Sequence, residues 1–416
     1  MRRTRATVVV ALTCATLAAC SGPGPSSPTP EPAPERSATG GTGAPPPSGS
    51  TGATTQSGSP SPRPSATASD DGTPAPRDAA AGWSVERKVG QLLVAGTPAD
   101  SATVSDATRT AIEDHQVGNV FLHGRSEAGV DATRSLVASM TDLAPGDAPP
   151  MLVATDQEGG SVQVLRGPGF SELPAATEQA GWEPAALEEA ATGWAAELAD
   201  AGVNLNLAPV MDLVPADNQQ ANAPIGYFSR NYGNTAQSVV RSATAFSAGM
   251  QASGVEPVIK HFPGLGHVTQ NTDTTEHVTD DTVTAGSASV EVFAEGIDAG
   301  ARFVMLSNAV YTRIDPENPA TFSPAVVDLL RDDLGFDGVV MTDDVSAAAA
   351  VEGLAPAERA VEAVAAGADL VLASADPTVV PAMAEALVAR AEQDPAFAGQ
   401  VDEAVARVLA SKAELP

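Results

Sequence analysis

Short apolar runs alternate with longer, helix-periodic stretches along most of the chain. Runs of the kind shown by buried parallel strands fall at Val117–Leu122, Met151–Thr155, Val203–Leu207, Val258–His261, Phe303–Ser307, Val339–Thr342 and Leu370–Ala373. Between them, Ala-rich segments with apolar residues at helical spacing predict helices. These cover 131–140, 185–201, 235–252, 290–298, 324–334, 356–366, 381–392 and 401–412. Repeated strand–helix units imply a parallel sheet with right-handed crossovers. About eight such units in roughly 330 residues predict an α/β fold, a single (β/α)8 TIM-type barrel over residues 81–416. A doubly wound open sheet is the alternative. Against it, Gly264-Leu265-Gly266 has neither the third glycine of a dinucleotide fingerprint nor a helix pattern directly after it.

The first eighty residues break this pattern. Arg2, Arg3 and Arg5 precede an apolar stretch, Ala6–Ala19, which has the length of a secretory signal and is short for a membrane span. It ends Leu17-Ala18-Ala19-Cys20, which resembles a bacterial lipobox. The expectation is a signal peptide over 1–19 and a lipidated Cys20 at the start of the mature chain. Two acyl chains on one residue anchor stably where one is marginal. Residues 21–80 contain no Val, Ile, Leu, Met, Phe, Tyr or Trp, and 42 of these 60 residues are Pro, Gly, Ser or Thr. Such a segment buries too little apolar surface to offset its chain entropy, so a disordered tether is expected.

Charge and cysteine content narrow the function classes. The chain has 416 residues, 22 Lys+Arg against 52 Asp+Glu, and a formal net charge of −30. A phosphate backbone is held by clustered cations, so nucleic-acid binding is excluded. Attraction of a polybasic patch to an anionic membrane is disfavoured too. Two cysteines, Cys14 and Cys20, build no disulfide scaffold.

In a barrel, chemistry sits at the C-terminal ends of strands. There the predicted strands run into Asp156-Gln157-Glu158-Gly159-Gly160, Lys260-His261-Phe262-Pro263-Gly264 and Thr342-Asp343-Asp344. Charged groups directly after buried strands are costly unless paired or used. Three of the five histidines, His261, His267 and His277, fall between residues 261 and 277, beside Lys260, one of three lysines. Histidine is the usual near-neutral proton carrier. The His spacings do not fit a zinc site, and no metal or other cofactor is expected. The adjacent Asp343 and Asp344 point in different directions if the strand continues, so one can face a site while the other supports a helix start.

Four motifs occur in order: Asp156-Gln-Glu-Gly-Gly, Ala208-Pro-Val-Met-Asp212, Lys260-His261-Phe-Pro-Gly and Phe336-Asp-Gly-Val-Val-Met-Thr-Asp343-Asp344. Together they resemble glycoside hydrolase family 3, in its single-domain β-N-acetylglucosaminidase branch. The resemblance implies a (β/α)8 barrel and a retaining mechanism with Asp343 as the nucleophile. It also implies that Asp156, Lys260 and His261 hold the hydroxyls of a terminal sugar. Arg230, in Ile225-Gly-Tyr-Phe-Ser-Arg230, matches a further sugar-binding arginine if about two extra residues follow Gly226. The branch takes its acid/base from a His two residues after an orienting Asp on the loop after Lys-His-Phe-Pro-Gly. Here the loop reads Asp273-Thr-Thr-Glu-His277, so the expected pair is His277 with Asp273 across a longer spacing. His267 and Glu276 are the competitors. Asn308 stands where relatives often carry His.

The resulting expectation is an exo-β-N-acetylhexosaminidase acting on oligosaccharides or muropeptides, lipid-anchored at the extracytoplasmic face of the membrane and monomeric. A β-glucosidase or GlcNAc phosphorylase of the same family is one alternative. A sugar-binding surface lipoprotein with little turnover is another.

Overall fold

The structure, a computed structural model, describes residues 79–415. The signal segment, Cys20 and nearly all of the expected tether lie outside the described residues. Eight parallel strands close into a barrel. They are β1 (Leu93–Pro98), β2 (Asn119–His123), β3 (Leu152–Thr155), β4 (Leu205–Asn206), β5 (Glu256–Phe262), β6 (Phe303–Leu306), β7 (Val339–Asp344) and β8 (Leu370–Ala373). Each pairs with its sequence neighbours, and β8 returns to β1 through Leu93–Val371 and Ala95–Ala373. The seam is tight. A Cβ on Gly96 of β1 would lie 1.9 Å from the Ser374 carbonyl oxygen, so only glycine fits there.

Helices cross between the strands: α1 (Asp106–His115), α2 (Val130–Thr141), α3 (Pro184–Asp200), α4 (Ala236–Ala252), α5 (Ala288–Asp298), α6 (Pro324–Asp328), α7 (Pro356–Ala366) and α8 (Val380–Gln393). A final helix, α9 (Pro395–Ala413), follows. Local chemistry sets several starts. The Ser105 hydroxyl accepts from the Thr108 N–H before α1, and Thr235 does the same for Ser238 before α4. Proline at the first turn begins α3, α6, α7 and α9, where its missing N–H costs nothing.

The barrel interior is filled by alternate strand residues, among them Val94, Phe121, Leu152, Leu205, Val258, Phe303, Met305, Met341 and Leu372. Val408 of α9 joins the same cluster. The Lys412 ammonium donates to Gln91 Oε1 (2.8 Å) and the Gly118 carbonyl (2.9 Å), both just before strands, so α9 seals the N-terminal end.

The open sheet considered as an alternative is excluded by the closed ring. The strand β1 and helix α1 were not predicted. The run Leu92–Ala95 is short and uniformly apolar, and such a run is not told from a buried helix by periodicity. The predicted helix over 324–334 divides into α6 and a wider turn at Leu329–Asp333.

Candidate active site

The C-terminal ends of the strands carry a cavity of about 360 Å³. Asp156, Arg230, Lys260, His261, Asp273 and Asp343 all line it, with Phe121, Leu207, Met305 and Leu372 as apolar wall. Two register shifts lie where the charged residues emerge. One is between Lys260 and Phe262 in the β5–β6 pairing, the other between Met341 and Asp344 in the β7–β8 pairing. Such irregularities re-aim side chains. The Lys260–His261 peptide is cis.

An ion network forms one side. Lys260 is 3% exposed, and its ammonium lies 2.6 Å from Asp156 Oδ1 and 2.7 Å from Glu158 Oε1. Arg230 grips Glu158 through Nε (2.9 Å) and Nη2 (2.8 Å), a two-pronged pairing that fixes its plane. Its other amine donates to the Pro224 carbonyl. Burial alone would raise the Glu158 carboxyl. Arg230 and Lys260 override burial and hold it down at about 2. Burial would also lower the Lys260 ammonium, but Asp156 and Glu158 keep it above its ordinary value. Lys260 and Arg230 therefore stay cationic.

His261 is fixed from behind. Its Nδ1 lies 2.7 Å from Asp212 Oδ2, and the other Asp212 oxygen accepts from the backbone N–H groups of His261 (3.2 Å) and Leu265 (2.7 Å). Asp212 is fully buried. With Nδ1 held against Asp212, Nε2 is the free face of the ring.

The adjacent carboxylates of β7 separate as the strand geometry predicts. Asp344 is a scaffold residue. It accepts from Ser346 Oγ (2.7 Å) and from the N–H groups of Ser374 (2.8 Å), Ser346 (3.2 Å) and Ala347 (3.2 Å). The Asp343 carboxyl keeps one bond, from the Asp344 N–H at 2.7 Å. Burial pushes Asp343 up and the charge of Asp273 adds to this, against the pull of His261, the Asp344 N–H and Lys260. The result is about 6.

The loop after β5 divides the expected acid/base pair. Asp273 lines the cavity with Asn271 and Thr272. Backbone bonds dock this stretch on the loop after β7: Ala349 N–H to the Asp273 carbonyl (3.3 Å) and Ala350 N–H to the Thr272 carbonyl (3.0 Å). His277 is exposed and lines a neighbouring groove with Glu276, Asn308, Val310 and Phe322. The structure brings Asp273 to Asp343 and leaves His277 outside; His267 does not line the cavity either. Asn308 is a buried support, donating to the Asp344 carbonyl (2.9 Å) and accepting from Thr321 Oγ1 (2.7 Å).

Glu158 and Asp212 received no role in the sequence reading, although both lie inside quoted motifs. The signal was available for Glu158: a carboxylate two residues past Asp156, beside a buried strand, needs a cation. Among the described residues no three of His, Cys, Asp and Glu are placed to share a metal ion.

Residues 84–411 match the Glycosyl hydrolase family 3 N terminal domain. The chain belongs to glycosyl hydrolase family 3. The beta-hexosaminidase of Stenotrophomonas maltophilia (strain R551-3) is 35% identical over 273 residues, 62% of this chain and 76% of that protein. That of Alkalilimnicola ehrlichii is 34% identical over 294 residues, 68% and 81% of the two. The crystal structure of a beta-N-acetylhexosaminidase from Beutenbergia cavernae matches with TM-score 0.79 at 58% identity, covering 80% of this chain and 99% of that one. A family 3 beta-N-acetylglucosaminidase from Paenibacillus matches with TM-score 0.71 at 32% identity, over 80% of this chain and 62% of that one. The family 3 barrel thus accounts for nearly all of the described residues, with its charged motifs on one rim.

Proposed function

We propose that this protein is a retaining, exo-acting β-N-acetylhexosaminidase that releases terminal GlcNAc through a covalent glycosyl-enzyme. The observation that carries the reading is Asp343, a strand-end carboxyl in the same cavity as Asp156, Lys260, Arg230 and His261. The similarity to beta-hexosaminidases supports it. The cavity lies at the small end of the 300–1,000 Å³ typical of ligand sites, about the scale of a chain end.

In this reading Asp156, Lys260, Arg230 and the free Nε2 of His261 bind the hydroxyls of the terminal sugar. The Asp343 carboxylate attacks the anomeric carbon, and the bond to the aglycone oxygen breaks as that oxygen takes a proton. Water then attacks the same carbon on the opposite side, loses its proton to the acid/base group, and frees Asp343. Asp273 supplies and recovers that proton, because it lines the cavity with Asp343 while His277 does not; the two neighbouring carboxyls share one proton, which Asp273 holds when Asp343 attacks.

The test is hydrolysis of p-nitrophenyl-GlcNAc by the purified protein, with a 5-fluoro GlcNAc trap to label the nucleophile. Asp343→Ala is expected to lose on the order of 10³-fold or more in kcat, with the trap bound at Asp343. Labelling of another residue overturns the nucleophile assignment, and no turnover of any hexosaminide overturns the function. Asp273→Asn is expected to cost about 10²–10⁴-fold on a sugar aglycone, and His277→Ala little. The opposite order returns the role to His277.

The same reading makes the protein a cell-surface lipoprotein held by Cys20 and acting on cell-wall-derived glycans, on the strength of the Leu17–Cys20 motif. Loss of labelled palmitate and of membrane association in Cys20→Ser tests this.

A further inference from the structure

Most aromatic side chains of this protein are buried, Trp83, Phe170 and Trp182 are half-buried, and the two exposed ones are adjacent. Among the described residues the exposed large hydrophobics are Tyr227 (61%) and Phe228 (45%). Their ring centroids are 5.0 Å apart at 86°, an edge-to-face pair. They occupy a single tight turn, Gly226–Phe228, in the stretch where family resemblance requires about two extra residues after Gly226.

This turn is held firmly. Asn222 Oδ1 accepts from the N–H groups of Ile225 (3.1 Å) and Gly226 (2.7 Å), and the Tyr227 N–H donates to the Asn222 carbonyl (2.9 Å). Ser229 follows in the left-handed region at φ 58°, where few non-glycine residues sit without support. Its N–H donates to the Gly226 carbonyl and that of Arg230 to the Ile225 carbonyl. The backbone is thus committed to showing two apolar rings to water, at a cost the fold does not need.

The rings are also close to the cavity. Pro224 and Arg230, which flank the turn, both line it. Two residues of chain span at most about 7 Å, so the Phe228 Cα lies within that distance of the Arg230 Cα. The Arg230 guanidinium faces inward to Glu158, while the neighbouring rings face solvent. An exposed apolar patch continuous with a polar sugar pocket marks a binding surface. The pocket takes only a chain end, so the rest of a glycan must leave across the rim. The C–H faces of pyranose rings are apolar and stack on aromatic rings.

We propose that Tyr227 and Phe228 form a stacking platform for the sugar rings beyond the terminal residue, so that this protein prefers oligosaccharides to simple glycosides. The proposal rests on the hexosaminidase reading above. The platform acts on substrate length and leaves the bond-breaking step alone.

The experiment compares kcat/KM for chitotetraose and for methyl β-GlcNAc in the wild-type chain and in Tyr227→Ala/Phe228→Ala. Both positions are exposed, and an unchanged circular dichroism spectrum and melting temperature establish that the variant folds. The chitotetraose-to-methyl ratio is expected to fall about tenfold, through KM, with kcat little changed. Tyr227→Phe/Phe228→Tyr, which keeps two rings, is expected to retain the ratio. An unchanged ratio in the double alanine variant overturns the platform while the hexosaminidase reading stands. A wild-type chain that turns over neither substrate overturns both.

Discussion

Asp343 and Lys260 illustrate how much of the chemistry is decided by single side chains. In the proposed mechanism Asp343 must be anionic to attack, yet burial and the neighbouring Asp273 push it up to about 6. Below that value the nucleophile is protonated, so kcat/KM is expected to fall about tenfold per pH unit as pH drops under about 6. Lys260 is one of the groups pulling Asp343 down. Lys260→Met removes that pull, and the acidic limb is expected to move to higher pH, measured in a pH–rate profile with p-nitrophenyl-GlcNAc. A limb that stays in place or moves to lower pH refutes the coupling. At this scale the sequence singled out charged groups directly after strands, and the structure places four of them, Asp156, Lys260, His261 and Asp343, in one cavity. It was silent on Asp212, because a carboxylate that serves another residue's ring and backbone looks like any other carboxylate in one dimension.

At the scale of elements, Glu158 ties three segments together: the end of β3 that carries it, the end of β5 through Lys260, and the loop after β4 through Arg230. Removing one partner of a buried ion pair strands the others. Glu158→Gln leaves the buried Arg230 and Lys260 without the carboxylate that pairs them, and is expected to lose about 3–5 kcal/mol of stability, read from the urea midpoint. A loss within a few tenths of a kcal/mol refutes a structural role for the network. Strand positions were legible because parallel barrel strands are apolar on both faces. Their ends were less so. Asn308 and His277 show why: whether a loop residue supports the scaffold or reaches the cavity depends on contacts with other loops, such as the bonds from Ala349 and Ala350 that dock residues 272 and 273.

For the molecule as a whole, the two barrel ends follow opposite rules. The C-terminal end gathers paired charges around a cavity. The N-terminal end buries Lys412 against the neutral acceptors Gln91 and Gly118, and burial pushes its ammonium down to about 7. In the unfolded chain this lysine titrates near its ordinary value of about 10.4. Between about pH 7 and 10 the unfolded state therefore binds more protons, so this group makes stability rise with pH. In Lys412→Met that rise is removed, and the gain in melting temperature from pH 7 to 9.5 is expected to be smaller than in the wild type; an equal gain refutes the shift. What the sequence by itself determined is the repeated strand–helix alternation, the acidic character and the order of the four charged motifs. These are local, because they depend on periodicity and on which residues follow a buried strand. Only the tertiary structure decided that the sheet closes, that Asp273 rather than His277 shares the cavity with Asp343, and that Glu158 and Asp212 hold its cations and its imidazole. Those outcomes depend on which distant segments meet when the ring closes, and a linear order of residues does not contain that distance.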